Sequence, residues 1–340
     1  MTSMRDVALR AGVSESTVSR ALSGKIPVTD ETRSRVLAAV GELGYQPNLL
    51  AQSLRSGSTK LFALVVPDIT QPSLATLALA VEEAAHQHGY SLLLCNTLEN
   101  AEREAQYLTA VVQRWVDGVI ISRAQNADVA IALWNEMQIP VVVVDRALAS
   151  EQLPSVVVDN EQVGRLATEH LLGLGHRVIG CLTTPMRFRF TRERLQGYQS
   201  ALRQAGIALD PALVVEGPVQ AEDSNECARR LLQTRPDITA IYAFSDVRAI
   251  SCMKAARELG RLIPQDLSVV GTNNTSICTL IDPPLTTVAQ PFEAMAKESV
   301  DTLVRLAAGK RLRQRHVVLQ PELVVRATTS PPRRRDRVAG

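Results

Sequence analysis

The stretch Met4–Leu22 limits most sharply what this chain can be. Val7, Ala8 and Ala11 fall at i, i+1 and i+4, one face of a helix. Gly12 stands where a helix stops in left-handed backbone. Val13 is the apolar residue of a turn, and Ser14 stands where an N-cap belongs. A second helix comes next, whose Val18, Ala21 and Leu22 share a face. Two short helices joined this way form a helix-turn-helix, and the second helix has the size to enter a DNA major groove. Its outward residues, Glu15, Ser16, Ser19 and Arg20, are polar and able to touch base edges or phosphates. Two small amphipathic helices can also simply pack together, so the motif alone leaves both readings open.

Residues 29–55 favour DNA. Thr29 caps a third helix, with Val36, Leu37, Val40 and Leu43 as its apolar stripe and Gly44 at its end. The run from Asp6-Val7-Ala8 through Thr17-Val18-Ser19-Arg20 to Tyr45-Gln46-Pro47-Asn48 and Ala51-Gln52-Ser53-Leu54 resembles the headpiece and hinge of the lactose/galactose repressor family of bacterial transcriptional regulators. The resemblance extends over nearly the whole chain. It implies DNA contacts from Ser14, Glu15, Ser16, Thr17, Ser19, Arg20, Thr32 and Tyr45. It also implies a hinge helix over Asn48–Arg55, in which Asn48, Ala51, Gln52 and Arg55 lie on the duplex and Leu54 wedges into the minor groove. Such a wedge unstacks a base step and bends the duplex. So short a helix is marginal alone, which makes it switchable; the alternative is that Leu54 packs on the core.

Composition agrees with a DNA-binding module joined to a sensor. Residues 1–60 hold eight Lys/Arg against five Asp/Glu, the tail 331–340 holds four Arg against one Asp, and the middle is net acidic. A length of 340 residues suggests two or three domains, and 46% hydrophobic content supplies large cores. No run reaches the roughly 18 apolar residues of a membrane helix. No signal-peptide core opens the chain, so a cytoplasmic protein is expected. The five cysteines have no metal-ligand spacing and read as reduced core residues; no cofactor is expected.

After Gly57 the pattern becomes strand and helix in alternation. Strands are expected at 61–66, 91–95, 118–121 and 141–144, with helices between them ending near His88, Trp115 and Met137. The pattern restarts with strand 156–158, helix 160–174, strand 178–182, helix 191–205, strand 214–215, helix 221–233, strand 240–244, helix 246–259 and strand 267–271. Continuous apolar strands alternating with helices mean parallel sheets covered on both faces. The expected fold is thus an all-α helix-turn-helix headpiece, 1–46, a hinge and linker, 47–58, and a bilobed α/β core, 59–329. The resemblance implies that this core has the periplasmic-binding-protein-like fold and that the chain crosses back. Lobe one would hold 59–157 plus 289–316, including helix 292–308. Lobe two would hold 158–288 plus 317–329, including strand 317–324. The arginine-rich stretch 330–340 reads as a disordered tail. No leucine-heptad helix ends the chain, so a homodimer is expected.

A ligand of such a core sits between the carboxyl ends of the two sheets. By motif position the effector residues are Leu74, Arg123, Asp145, Arg146, Arg194, Ser245, Asp246, Asn273, Gln290 and Phe292. The chain departs from the family at three of these places. Gly271-Thr272-Asn273-Asn274 stands where Gly, an aromatic and two Asp are usual. Ser245-Asp246 replaces Asn-Asp, and Gln71-Pro72-Ser73-Leu74 replaces a frequent Asn-Pro-Phe-Phe. Arg123, Arg146, Arg187, Arg189, Arg192 and Arg194 crowd the expected cleft while Asn273 is neutral. Guanidinium forks suit carboxylate and phosphate, so a sugar acid or sugar phosphate is preferred over a neutral sugar. The other possibility is that several of these arginines face solvent or pair with Glu193, Asp145 and Asp246. No phosphate-binding loop, nucleophile elbow or metal-binding helix motif points to an enzyme. The reading is a repressor of a carbohydrate-utilisation operon that binds a near-palindromic double-stranded operator under control of a sugar-type effector, with no membrane partner. The alternative is a bilobed transport protein, which would leave residues 1–56 unexplained.

Overall fold

The structure is a computed structural model that describes residues 2–23, 28–45, 58–113, 116–122, 127–145 and 152–333. It divides into two units, Met1–Lys60 and Leu61–Gly340.

The first unit is three helices, α1 (Met4–Ala11), α2 (Glu15–Ser23) and α3 (Asp30–Leu43). Local chemistry sets their ends. Ser3 Oγ accepts from Asp6 N (3.3 Å) and Asp6 Oδ2 from Ser3 N (2.8 Å), a reciprocal capping box. Ser14 Oγ accepts from Thr17 N (3.2 Å) and Thr29 Oγ1 from Thr32 N (3.3 Å). Gly12 (φ 65°) and Gly44 (φ 58°) end α1 and α3 in left-handed backbone. The core is Val7, Ala8, Ala11, Val18, Ala21, Val36, Ala39 and Tyr45. The stripe expected on α3 is corrected at one place: Leu37 is 52% exposed and Ala39 is buried instead. Val36, Ala39, Val40 and Leu43 keep the i, i+3, i+4, i+7 spacing, whereas Leu37 sits a quarter-turn round the helix.

The second unit alternates strand and helix: β1 (Leu61–Val66), α4 (Pro72–Gln87), β2 (Ser91–Asn96), α5 (Ala101–Gln113), β3 (Gly118–Ser122), α6 (Ala127–Asn135), β4 (Val141–Asp145), β5 (Ser155–Val158), α7 (Asn160–Gly173), β6 (Ile179–Thr183), α8 (Arg189–Gln204), β7 (Val214–Glu216), α9 (Asn225–Thr234), β8 (Ala240–Ala243), α10 (Asp246–Glu258), β9 (Ser268–Asn273), the single-turn α11 (Ile277–Leu280), β10 (Thr286–Ala289), α12 (Phe292–Ala307), β11 (His316–Leu319) and β12 (Glu322–Val324). The strands form two six-stranded sheets, β11-β5-β4-β3-β1-β2 in the first lobe and β12-β10-β9-β8-β6-β7 in the second. All pairings are parallel except β10 with β12, which is antiparallel.

Successive residues of each strand feed opposite cores. Phe62, Leu64 and Val66 pack with α4 and α12, while Ala63 and Val65 pack with α5 and α6. In the second lobe Ile241 and Ala243 face α9 and α10, and Ala240 and Tyr242 face α7 and α8. Such strands are apolar throughout because both faces are covered. α7 and α8 pack closest: a Cβ on Gly164 would lie 1.9 Å from the Arg194 carbonyl oxygen, and one on Gly197 2.0 Å from that of Glu161.

Helix α12 packs on the first lobe, and three expectations are corrected. Strand 155–158 belongs wholly to the first sheet, between β4 and β11; an apolar strand does not disclose its sheet until its neighbours are known. Strand 317–324 is two strands, β11 in the first lobe and β12 in the second, so the crossing lies at Gln320-Pro321 rather than at 316–317. Pro321 has no N–H to give a ladder and marks the break. Residues 330–333 are docked, and 334–340 lie outside the described residues. Ser330 N donates to Ser268 Oγ (3.0 Å), Arg333 pairs with Asp266 (2.7 Å), and the Ser330 carbonyl lies 2.9 Å from His176 Nε2. A carbonyl only accepts, so Nε2 carries the proton and Nδ1 accepts from Thr239 Oγ1 at 2.9 Å.

This packing generates two testable expectations. Gly164→Ala should lower core stability by about 1–3 kcal/mol or more in denaturant unfolding, because backbone rather than a flexible side chain must move. Burial holds the His176 imidazole below its ordinary 6.5 despite the Ser330 carbonyl, which raises it. A depressed folded value means that its stabilisation is complete above pH 6.5 and is lost as pH falls toward the folded value. Unfolding measured against pH should therefore show wild type losing stability relative to His176→Gln below that pH. Parallel curves would refute it.

Candidate nucleic-acid face and interlobe cleft

The headpiece presents the polar face its sequence implies. Ser14, Glu15, Ser16 and Arg20 are exposed, and Thr17 and Ser19 are half-buried beside them, on the side away from Val18 and Ala21. Ser14 Oγ is shared among Ser16 Oγ (2.8 Å), Thr17 Oγ1 (2.9 Å) and its capped amide, which fixes the entry to α2. Thr32, half-buried, bonds Thr29 Oγ1 at 2.8 Å in the first turn of α3. Tyr45 is a correction: only 8% exposed, its ring is part of the three-helix core, because so small a core gains more from covering an aromatic face than from leaving it in water. Asn48, Ala51, Gln52, Leu54 and Arg55 lie outside the described residues.

The cleft of the second unit lies where the C-terminal ends of the two sheets meet. Gln71, Ser73, Glu99 and Asp145 line it from the first lobe. Arg194, Phe188, Phe190, Phe244, Ser245 and Asn273 line it from the second, and Gln290 comes from the crossing between β10 and α12. Two strand ends are strained there. Asp145 has φ 72° and Asn273 φ 115°, left-handed values that cost a non-glycine residue on the order of 1–3 kcal/mol and collect at binding sites. Gln290 Nε2 donates to Asn273 Oδ1 at 2.6 Å. Gln290 Oε1 is buried and, among the described residues, has no hydrogen-bond partner.

Arg194 is 4% exposed; its Nε donates to Asn160 Oδ1 (2.9 Å), its Nη1 to the Phe244 carbonyl (2.8 Å), and its guanidinium carbon stands 5.1 Å from the Phe190 ring centroid. These contacts tie the start of α7, the end of β8 and the first turns of α8 around one cation. Ser245 Oγ caps α10 by accepting from Arg248 N at 3.2 Å.

Several expected site residues lie elsewhere. The Asp246 carboxylate is 1% exposed and turned into the lobe, where it accepts from Thr275 N (2.8 Å), Thr275 Oγ1 (2.8 Å) and Thr287 Oγ1 (2.6 Å). Burial raises its pKa against these donors. One residue past Ser245, on a helix, a side chain points inward rather than across the cleft. Leu74 is 1% exposed, its place on the cleft taken by Gln71 and Ser73, and Phe292 is 4% exposed within the α4–α12 core. Arg123 and Arg146 lie outside the described residues. Of the arginines near α8, Arg187 stacks on Phe188 (4.6 Å), Arg189 pairs with Glu193 (2.6 Å) and Arg192 donates to the Met186 carbonyl (2.8 Å), all three exposed. Arg194 alone of these lines the cleft.

Sequence reasoning misses Glu99, Phe188, Phe190, Phe244 and Arg248 as lining residues. A signal for the aromatics exists. The chain has five Phe, and three of them line this one cleft.

One substitution tests the reading face. Arg20→Ala should cost about 1–3 kcal/mol of specific DNA binding and relax preference at one base position if its contact is bidentate. Equal weakening on every sequence would make Arg20 a phosphate contact instead.

Comparison with known proteins places both units. Residues 3–48 match the family described as bacterial regulatory proteins, lacI family, and residues 168–329 match the periplasmic binding protein-like domain. The chain is 37% identical over 333 residues to the HTH-type transcriptional regulator DegA of Bacillus subtilis (strain 168), covering 97% of this chain and 98% of that one. Among solved structures, the lac repressor dimer bound to operator and the anti-inducer ONPF superposes with a TM-score of 0.85 at 30% identity, covering 97% of this chain and 99% of that one. The complex of the transcriptional regulator CelR with cellobiose gives 0.74 at 32% identity, covering 96% and 100%.

Proposed function

Because the chain belongs to the lacI family of bacterial regulatory proteins, we propose that it is a transcriptional repressor that binds a near-palindromic operator as a homodimer and is governed by a neutral saccharide in the interlobe cleft. It acts in the cytoplasm, where operators are, and by binding rather than by catalysis. Two-fold protein symmetry matches two-fold operator symmetry.

The observation that carries the effector reading is Gln290 Oε1. A buried acceptor left without a donor costs about 1–3 kcal/mol, and a ligand hydroxyl in the cleft removes that cost. Phe188, half-buried on the cleft wall, offers an apolar face to the C–H side of a sugar ring, and Asp145, Gln71 and Asn273 offer polar partners to its hydroxyls. Of the arginines that favour an anion on paper, the described Arg187, Arg189 and Arg192 are exposed, and Arg194 lines the cleft. The described lining holds Arg194 and Arg248 against Asp145 and Glu99, with no excess of positive charge.

Calorimetry on the full chain decides between the two. A neutral sugar should bind with little salt dependence, and Gln290→Leu should weaken it about tenfold, one net hydrogen bond. Sugar and operator should change each other's affinity by the same factor. Binding confined to sugar acids or phosphates, weakening as salt rises, would overturn the neutral-ligand reading.

A further inference from the structure

Residues 217–224 form part of the cleft wall with little regular structure of their own. They join β7 to α9 through Gly217–Gln220, outside any helix or strand, and the 3-10 turn Ala221–Ser224. Val219 and Ala221 line the cleft from this run. Its fastening comes from α10. The Arg248 guanidinium is 1% exposed; Nη1 donates to Ser224 Oγ, and Nη2 to the carbonyls of Pro218 and Val219, the latter at 3.3 Å. Nearly one turn further along α10, Ser251 Oγ donates to the Ala221 carbonyl at 3.4 Å. Gly217 completes the fit: a Cβ there would stand 2.6 Å from Arg248 Nη1 and 3.0 Å from the Thr183 carbonyl oxygen.

We propose that Arg248 is a positioning residue of the effector cleft: it fixes 217–224 as a wall, and through Val219 and Ala221 it sets which saccharides the cleft admits. A buried guanidinium stays charged and demands acceptors. Here three acceptors come from one short segment, so cation and segment hold each other. A planar fork reaches them together, as the point charge of a lysine does only in part. The selectivity half of the proposal rests on a saccharide being the effector; the wall does not.

The test uses the full chain and two variants, Arg248→Met, which keeps the buried volume, and Arg248→Lys. Without ligand, amide exchange in peptides covering 214–224 should quicken about tenfold in Arg248→Met, the loss of roughly one net hydrogen bond from local opening, and partly recover in Arg248→Lys. Exchange in α7, α8 and the headpiece should not change. By calorimetry with D-ribose and cellobiose, the affinity ratio of the two sugars should shift at least about threefold in Arg248→Met, since a moved wall changes fit rather than overall strength. Unchanged exchange over 214–224, or exchange raised across the whole chain, would overturn the wall. Equal weakening of both sugars would overturn the selectivity. If wild type binds neither sugar, the saccharide reading and the selectivity fall together, and exchange still decides the wall. Should Arg248→Met fail to fold, Gly217→Ala pushes the same wall with the guanidinium in place and must quicken the same peptides.

Discussion

α7 and α8 meet backbone to backbone, and the second-lobe wall of the cleft depends on that contact. With 1.9 Å between a would-be Gly164 Cβ and the Arg194 carbonyl, any other residue would separate the two helices. At the distance glycine permits, Arg194 reaches Asn160 at the head of α7 and the Phe244 carbonyl past β8. A buried cation with hydrogen bonds to fixed groups is strongly directional, because each bond is charge-assisted. Phe190, packed under the same guanidinium, is oriented by it.

The second lobe is braced at both ends of its sheet by small hydroxyl-bearing side chains. Near the cleft, Asp246 gathers Thr275 and Thr287, which holds the segment after the strained Asn273 against β10. At the other end His176 gathers Thr239, Ser268 and Ser330, which holds the chain's last described residues against β8 and β9. Both are satisfied polar networks in low dielectric, where correct geometry is rewarded and a missing partner is expensive. The cleft thus sits on a framework stiffened from beneath.

Much of this is legible in the sequence, and the parts that are not share a cause. Strand and helix positions come from periodicity, so Val141–Val144 and the stripe of α3 announce themselves, Leu37 apart. Caps come from residue type, as at Ser14, Thr29 and Gly44. What periodicity does not give is the direction of a side chain at the start of a helix that follows a strand, where a single step decides between cleft and core. Ser245 faces the cleft and Asp246 the interior; Ser73 faces the cleft and Leu74 the core. Nor does charge count give charge placement: Arg187, Arg189, Arg192 and Arg194 lie within eight residues and point four ways. Sheet membership of a lone apolar strand, such as 155–158, is set by partners that are distant in sequence.

The position of Gln290 bears on how occupancy of the cleft can reach the lobes. The chain passes between lobes at Asp159, at Gln290-Pro291 and at Gln320-Pro321, and only the second of these crossings contributes a side chain to the described lining. A ligand shifts a conformational balance only by the difference of its contacts in the two states. A molecule held by one lobe alone makes the same contacts whatever the lobes do. One that reaches Asp145, Arg194 and Gln290 together makes contacts that depend on the angle between the lobes. One of them falls on the segment that must bend for that angle to change. The strained backbone at Asp145 and Asn273, one on each wall, then matters beyond its local cost. It fixes the two polar groups whose separation the lobe angle sets, so the ligand senses that angle through rigid rather than yielding partners.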